Sequence, residues 1–326
     1  MPPAMLWDLA LVVVGLGVLL LAGDALVRGA VNLSLRLGVP ALIVGLTVVA
    51  FGTSAPELLV SVKAVLAGVP ALALGNVVGS NTANVLLVLG VPALIAAVPV
   101  ARDLLRDYLG MMAATALFVG LAVLGPIGWP QALVLLAGLA LMLGDALMRA
   151  RAHRAANGIV AAAPEALEGA EPDMPWWKIG VFTGLGIVGL PLGAELLVDG
   201  SVGIATTLGV SEAVIGLTLV AVGTSLPELA TTVMAAIRRE AGVALGNVLG
   251  SNMFNLLGII GVAGLVGTIP VPAEMLVRDL WVMVGASALL GWFVLKGRPI
   301  GRVWGLAMVL LYGGYLALLA LQGGSG

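Results

Sequence analysis

Two glutamates sit in nearly the same surroundings, 171 residues apart. Residues 45–58 read GLTVVAFGTSAPEL and residues 216–229 read GLTLVAVGTSLPEL, so Glu57 and Glu228 each end a Gly-Thr-Ser-x-Pro-Glu run inside an apolar stretch. An ionised side chain in the middle of a bilayer costs roughly 2.5–3.5 kcal/mol on insertion scales, so each carboxylate needs a partner. The one base nearby is Lys63, beyond Glu57, and Met234 occupies the equivalent place beyond Glu228. A carboxylate that stays protonated is the alternative, and a cation from solution is the favoured partner. Pro56 and Pro227 each remove a helical N–H and crowd the carbonyl four residues back, so the helix must bend or break there. The bend frees backbone carbonyls around Ala50 to Thr53 and Ala221 to Thr224, which are tolerated at that depth only when buried in protein or turned on a cavity or ion.

A second element repeats on the same offset. ALGNVVGSN at 73–81 returns as ALGNVLGSN at 244–252, and Asn84 returns as Asn255. Four-residue spacing puts Asn76, Ser80 and Asn84 on one helix face, and Asn247, Ser251 and Asn255 on another. These residues, with Asn81 and Asn252, serve either as interhelical glue or as further ligands. There are no cysteines and one histidine. Thiolate and imidazole clusters are therefore excluded, and any metal site must use oxygen. Hard oxygen donors suit Ca²⁺, whose charge two carboxylates would neutralise, and Na⁺ can satisfy the same charges.

The elements that carry these residues follow from composition. Of 326 residues, 61% are hydrophobic and 10% charged, against roughly 45–50% and about 25% in soluble domains. Such a chain is a polytopic membrane protein. Apolar runs predict ten spans, near 5–27, 38–66, 71–97, 105–124, 129–148, 176–198, 209–237, 243–268, 279–295 and 301–321. The first is too long, and too embedded among further spans, to read as a cleaved signal peptide. With the N-terminus outside, all lysines and arginines except Lys63 and Arg278 fall on the inner side, which predicts both termini outside.

Residues 149–175 begin basic and end acidic and read as an exposed cytoplasmic linker, with His153 a solvated loop histidine. The chain thus divides into a first five-helix repeat (1–148), the linker, and a second repeat (176–326). Leu37-Gly38-Val39 matches Leu208-Gly209-Val210, and Asp24 matches Glu195. Five spans separate each element from its copy, so the copy enters the membrane from the opposite side. The halves are expected to form an inverted repeat meeting near the midplane. Net charge is −2 and no basic stretch suggests nucleic acid.

Through these doubled GTSxPE and GNxxGSNxxN elements the chain resembles the sodium/calcium exchanger family of the cation/Ca²⁺ antiporter superfamily, in its compact prokaryotic form. The resemblance spans nearly the whole chain. It implies ten helices in two inverted halves, with the long first and sixth helices sliding across the core during alternating access. It further implies exchange of Ca²⁺ for Na⁺ across the cell (inner) membrane, usually electrogenic, with no cofactor and no required protein partner. The ligands it implies are Glu57 and Glu228, Thr53, Ser54, Thr224 and Ser225, the carbonyls of Ala50 and Ala221, and Ser80, Ser251, Asn84 and Asn255. Potassium-dependent relatives carry aspartate where this chain has Asn255, which implies no K⁺ requirement. The linker lacks room for the Ca²⁺-sensing domain of larger eukaryotic relatives.

Three other readings compete. A Ca²⁺/H⁺ antiporter of the same fold would trade the cation for a proton on the same carboxylates. An intramembrane protease would need a membrane histidine beside serine, or buried aspartates. The one histidine lies in the linker, and Asp24 and Asp145 each lie in a Gly-Asp-Ala-Leu-x-Arg stretch at a helix end. A channel would need a continuous pore, whereas inverted symmetry within one chain is typical of carriers.

Overall fold

The computed structural model describes residues 3–100, 104–157, 171, 173–208 and 221–323. Its regular elements are helices: α1 Pro3–Leu37, α2 Ala41–Thr53, α3 Ala55–Leu66, α4 Pro70–Ile95, α5 Leu105–Leu124 and α6 Trp129–Asn157. In the second half follow α7 Trp176–Thr207, α8 Leu226–Ile237, α9 Ala241–Val266, α10 Met275–Lys296 and α11 Arg302–Gly323. Eight of these are long and apolar enough to cross a membrane, and the bent pair α2–α3 counts as one more. Of the expected span 209–237, residues 209–220 lie outside the described residues, and α8 is its second part.

Hydropathy placed the helix centres better than their ends. The helix α1 runs ten residues past the expected 27, to Leu37, where Gly38 turns the chain with φ 65° ahead of Pro40. The helix α7 likewise runs past 198 to Thr207. In the segment expected to be a linker, α6 continues to Asn157, so Arg149, Arg151, His153 and Arg154 stand on a helix. The reason is local. Arg149 bridges Asp107 of α5 at 2.7 Å and Asp145 one turn back at 2.9 Å, which anchors the extra turns. Residues 158–170 of that segment lie outside the described residues.

The two halves clasp one another as mirrored pairs. The helix α1 and its copy α7 run antiparallel in close contact: Asp8 meets Gly200, Gly15 meets Gly193 and Leu197, Leu26 meets Gly186, and Gly29 meets Thr183. A Cβ on Gly186 would stand 2.4 Å from that of Leu26, so the contact depends on glycine. The helices α4 and α9 form the centre. In their most apolar stretches 72% and 83% of residues are buried, against 17% in the peripheral α6 and α11. Around them packs one apolar cluster that includes Leu74, Val78, Phe118, Val248 and Phe293. A second cluster, with Leu26, Val27, Leu190 and Val243, lies along α1 and α7. Two short antiparallel bridges, Val98 with Ile300 and Ile127 with Ile269, join the halves at their loops.

Candidate cation site

The helix break falls where the prolines place it. The helices α2 and α3 are bent by 44° about Ser54, whose φ and ψ are −85° and 4°. Ser225 takes −88° and 3° in the second half. Each chain restarts as a helix at the next residue, with Pro56 and Pro227 in the first turn, where a missing N–H costs nothing. Glu57 and Glu228 therefore also stand in a first turn, at the positive end of a helix dipole that favours negative charge. The bend leaves fewer free carbonyls than the sequence suggests. The Ala50 carbonyl accepts the Ser54 N–H at 3.0 Å and the Thr53 hydroxyl at 3.4 Å, and the Ser225 N–H is taken by Val222 at 3.0 Å.

The asparagines divide into three roles. Asn76 donates to the Glu57 carbonyl (3.2 Å) and the Ser61 hydroxyl (3.0 Å), pinning α4 to α3. Asn247 repeats this with the Glu228 carbonyl and Thr232, and its own carbonyl accepts from Thr53 at 3.0 Å. Asn81 and Asn252 form a reciprocal clasp between α4 and α9, each donating to the other's backbone carbonyl. The side-chain carbonyl of Asn252 also accepts from Asn84 (3.1 Å), and that of Asn81 from Asn255 (3.0 Å). The polar atoms of Asn81 and Asn252 are thereby engaged, whereas Asn84 and Asn255 each keep an unpartnered, buried Oδ1.

Those two oxygens belong to a larger set. Both carboxylates are fully buried, at 0% exposure. Both oxygens of Glu57, Oε2 of Glu228 and the hydroxyls of Ser80 and Ser225 lack a hydrogen-bond partner. Buried polar atoms without partners are rare in folded proteins and call for a physical reason. Here the unpartnered atoms are carboxylate, amide and hydroxyl oxygens, which is the donor set a hard cation takes. Glu57 and Glu228 are near enough to interact electrostatically. Ser54, from the Glu57 motif, donates to Oε1 of Glu228 at 3.1 Å, and Thr53 and Ser251 lie beside it. The structure thus brings Glu57, Glu228, Thr53, Ser54 and Ser251 together, and it buries Ser80, Ser225, Asn84 and Asn255 on the helices that carry or adjoin them.

The two halves differ around the glutamates. Ser54 bonds Glu228, but its copy Ser225 does not bond Glu57. Thr53 is fully buried and bonded to Asn247, whereas its copy Thr224 lines two cavities. One, of about 350 Å³, is walled by Asn76, Ser80, Asp279 and Tyr315. The other, of about 310 Å³, lies between α3 and α7 and is lined by Leu59, Glu195 and Asp199. Both lie toward the face opposite the arginine-rich helix ends. Sequence reasoning did not anticipate Ser61 and Thr232 as anchors or Asp279 beside the site. The Arg-Asp pair at 106–107, which recurs at 278–279, was the available signal for Asp279.

Comparison with known proteins gives the family. Residues 7–144 and 178–321 match the profile of the family described as sodium/calcium exchanger protein. The chain belongs to the sodium/calcium exchanger family. It is 35% identical to a putative antiporter, CaxA, from Alkalimonas amylolytica, over 94% of this chain and 97% of that one. It is 32% identical to the sodium/calcium exchanger MaX1 from Methanosarcina acetivorans, over 95% and 97%. A solved structure of the sodium-calcium exchanger NCX_Mj, soaked with 10 mM Na⁺ and no Ca²⁺, superposes with a TM-score of 0.81 at 31% identity, covering 96% of this chain and 99% of that one. This family member is accordingly a multi-pass membrane protein and a cation/Ca²⁺ antiporter by kinship, and its matched relatives are transporters rather than enzymes.

Proposed function

We propose that this protein exchanges Ca²⁺ for Na⁺ across the cell membrane by alternating access to the buried oxygen cluster. The observation that carries this reading is the pair of wholly buried carboxylates, Glu57 and Glu228, whose oxygens are left largely without protein partners. Two such charges neutralise one Ca²⁺. Thr53, Ser54, Thr224, Ser225, Ser80, Ser251, Asn84 and Asn255 supply neutral oxygens around it, and the carbonyls of Ala50 and Ala221 complete the set. Ala50 would join only as the Thr53 hydroxyl turns from it to the ion. With no ion bound, the carboxylates would face a dry bilayer centre uncompensated. Movement of the gating helices with an unloaded site is therefore penalised, which couples one ion flux to the other.

In this reading the chain crosses the membrane ten times, with both termini outside, and the cavities beside Thr224 open outward. The names of its relatives, an exchanger of sodium for calcium among them, support Na⁺ as the coupling ion. The test is transport in proteoliposomes. An outward Na⁺ gradient should drive ⁴⁵Ca²⁺ uptake, and Glu57→Gln or Glu228→Gln should abolish it. Uptake that ignores Na⁺ and follows a pH gradient would replace this reading with Ca²⁺/H⁺ antiport.

A further inference from the structure

The arginine-rich end of the molecule and the opposite end are packed differently, and the difference falls on charged residues. On the arginine-rich side α1 packs directly on α8. A Cβ on Gly23 would lie 3.1 Å from the Ala230 carbonyl oxygen and 3.3 Å from the Met234 Cγ. The next residue, Asp24, is ion-paired with Arg238 at the end of α8 and with Arg28 one turn along α1 at 3.0 Å. Gly23, Asp24 and Val27 have as copies Ala194, Glu195 and Val198 of α7. Ala230 and Met234 have as copies Leu59 and Lys63 of α3. These copies are held apart, because the cavity of about 310 Å³ lies between them, lined by Leu59, Ala194, Glu195, Val198 and Asp199. Glu195, Asp199 and Lys63 are exposed, and none of the three makes an ion pair among the described residues.

Antiparallel packing of α1 on its copy α7 means that exchanging the arrangements of the two halves yields the opposite-facing state. In that state α7 meets α3 as α1 now meets α8. Ala194 then lies against the stem of Lys63, in the place where Gly23 lies against Met234. Glu195, the next residue, comes within reach of the Lys63 ammonium. We infer that Lys63 and Glu195 form an ion pair that latches the outer side shut, as Asp24 and Arg238 latch the inner side in the present structure. A lysine in an apolar helix, with methionine as its copy, thereby acquires a role. Its stem fills the methionine's volume and its charge meets a partner only on closure. The side-by-side carboxylates Glu195 and Asp199, one turn apart on α7, repel one another while the outer side is open, and Lys63 relieves that repulsion on closing. The latch regulates access to the proposed cation site and rests on the antiport reading only for its transport consequence.

The chain has no cysteines, so introduced thiols report without background. In Ala194→Cys/Lys63→Cys the two Cβ atoms should come within the roughly 3.5–4.5 Å a disulfide requires when the outer side closes. Mild oxidation in membranes should cross-link this variant and block ⁴⁵Ca²⁺ exchange, and reductant should restore it. The charge is tested separately with Val198→Cys, whose copy Val27 is fully buried on the closed side. Labelling of this thiol by an impermeant maleimide should rise about two- to five-fold when Lys63→Met or Glu195→Gln is added, since an ion pair of this kind shifts a two-state balance by up to about five-fold. The swap Lys63→Glu/Glu195→Lys should return labelling toward the parent rate. Absence of the cross-link, single variants labelling within two-fold of the parent, or a swap no better than either single change would each overturn the latch. Labelling and cross-linking do not depend on which ions are exchanged. A chain that exchanges Ca²⁺ for Na⁺ without cross-linking refutes the latch alone, and one that cross-links without Na⁺-driven uptake refutes the antiport reading alone.

Discussion

Replacing Gly250 by alanine sets helix propensity against packing. In an isolated helix, alanine is favoured over glycine by about 0.8–1.0 kcal/mol. In this protein the new methyl would stand 2.3 Å from the Leu46 carbonyl oxygen and 2.7 Å from the Ala50 Cβ. Ordinary contact begins near 3.4 Å, so α2 must retreat from α9 by about 1 Å, and overpacking of that size costs about 1–3 kcal/mol. The net expectation is destabilisation by up to about 2 kcal/mol. The site should suffer as well. Thr53, at the end of α2, reaches Asn247 at 3.0 Å and Ser251 at 3.4 Å across this same contact, and a retreat of 1 Å takes both beyond hydrogen-bond range. Thermal unfolding in detergent, with and without Ca²⁺, reads both effects. Gly250→Ala should lower the midpoint and shrink the Ca²⁺-induced increase. Gly120→Ala at an exposed position of α5, with nothing within 4 Å of its Cβ, should do neither. Wild-type stability and an undiminished Ca²⁺ shift in Gly250→Ala would show that the closeness of α2 to α9 does not position the site.

Other outcomes follow from particular contacts. Glu57→Gln and Glu228→Gln each leave a bound Ca²⁺ with one positive charge uncompensated, which at roughly 2.5–3.5 kcal/mol means a loss of affinity on the order of 100-fold, measurable by ⁴⁵Ca²⁺ binding. Arg149→Ala strands the buried Asp107 carboxylate, so it should destabilise by about 3–5 kcal/mol in urea or thermal unfolding, and adding Asp107→Asn should recover much of that loss. Glu240, in the connection between α8 and α9, is pushed up to about 7 by burial, against the opposing pull of Arg238. The folded state then binds its proton more tightly than the unfolded state, so this group's contribution to stability falls as pH rises from the usual carboxylate range to about 7. Glu240→Gln should flatten the unfolding profile across that window, and an unchanged profile would refute the assignment.

The central chemistry was legible because its residues have few other uses. A proline and an ionisable residue within an apolar run, doubled at one offset, admit little besides a bent helix and a buried charge, and Ser54 and Ser225 bend where Pro56 and Pro227 require. The ends of α1, α6 and α7 were not legible, because hydropathy marks where apolar side chains stop and not where backbone hydrogen bonding stops. Whether Asn81 joins helices or holds ions depends on the register of α4 against α9, a tertiary quantity that spacing does not carry. The free carbonyl expected at Ala50 is occupied because Ser54 shares the bend with its neighbours, so the turn before it stays hydrogen-bonded. The difference between Thr53, bonded to Asn247, and its copy Thr224, which lines cavities, was equally hidden, since the repeat reads alike at both positions.

The clasp of Asn81 and Asn252 has a thermodynamic corollary. Each residue is the other's image, so interchanging the halves maps these bonds onto themselves. A contact that is its own image has the same energy whichever way the molecule faces, and it contributes nothing to the balance between the two orientations. That balance is written entirely in the positions where the two copies disagree, such as Lys63 against Met234, Ala67 against Arg238, and Asp199 against Arg28. Editing one copy to match the other at such positions would shift the populations toward equality without touching an ion ligand, and the mismatches become a map of what sets this molecule's preferred direction.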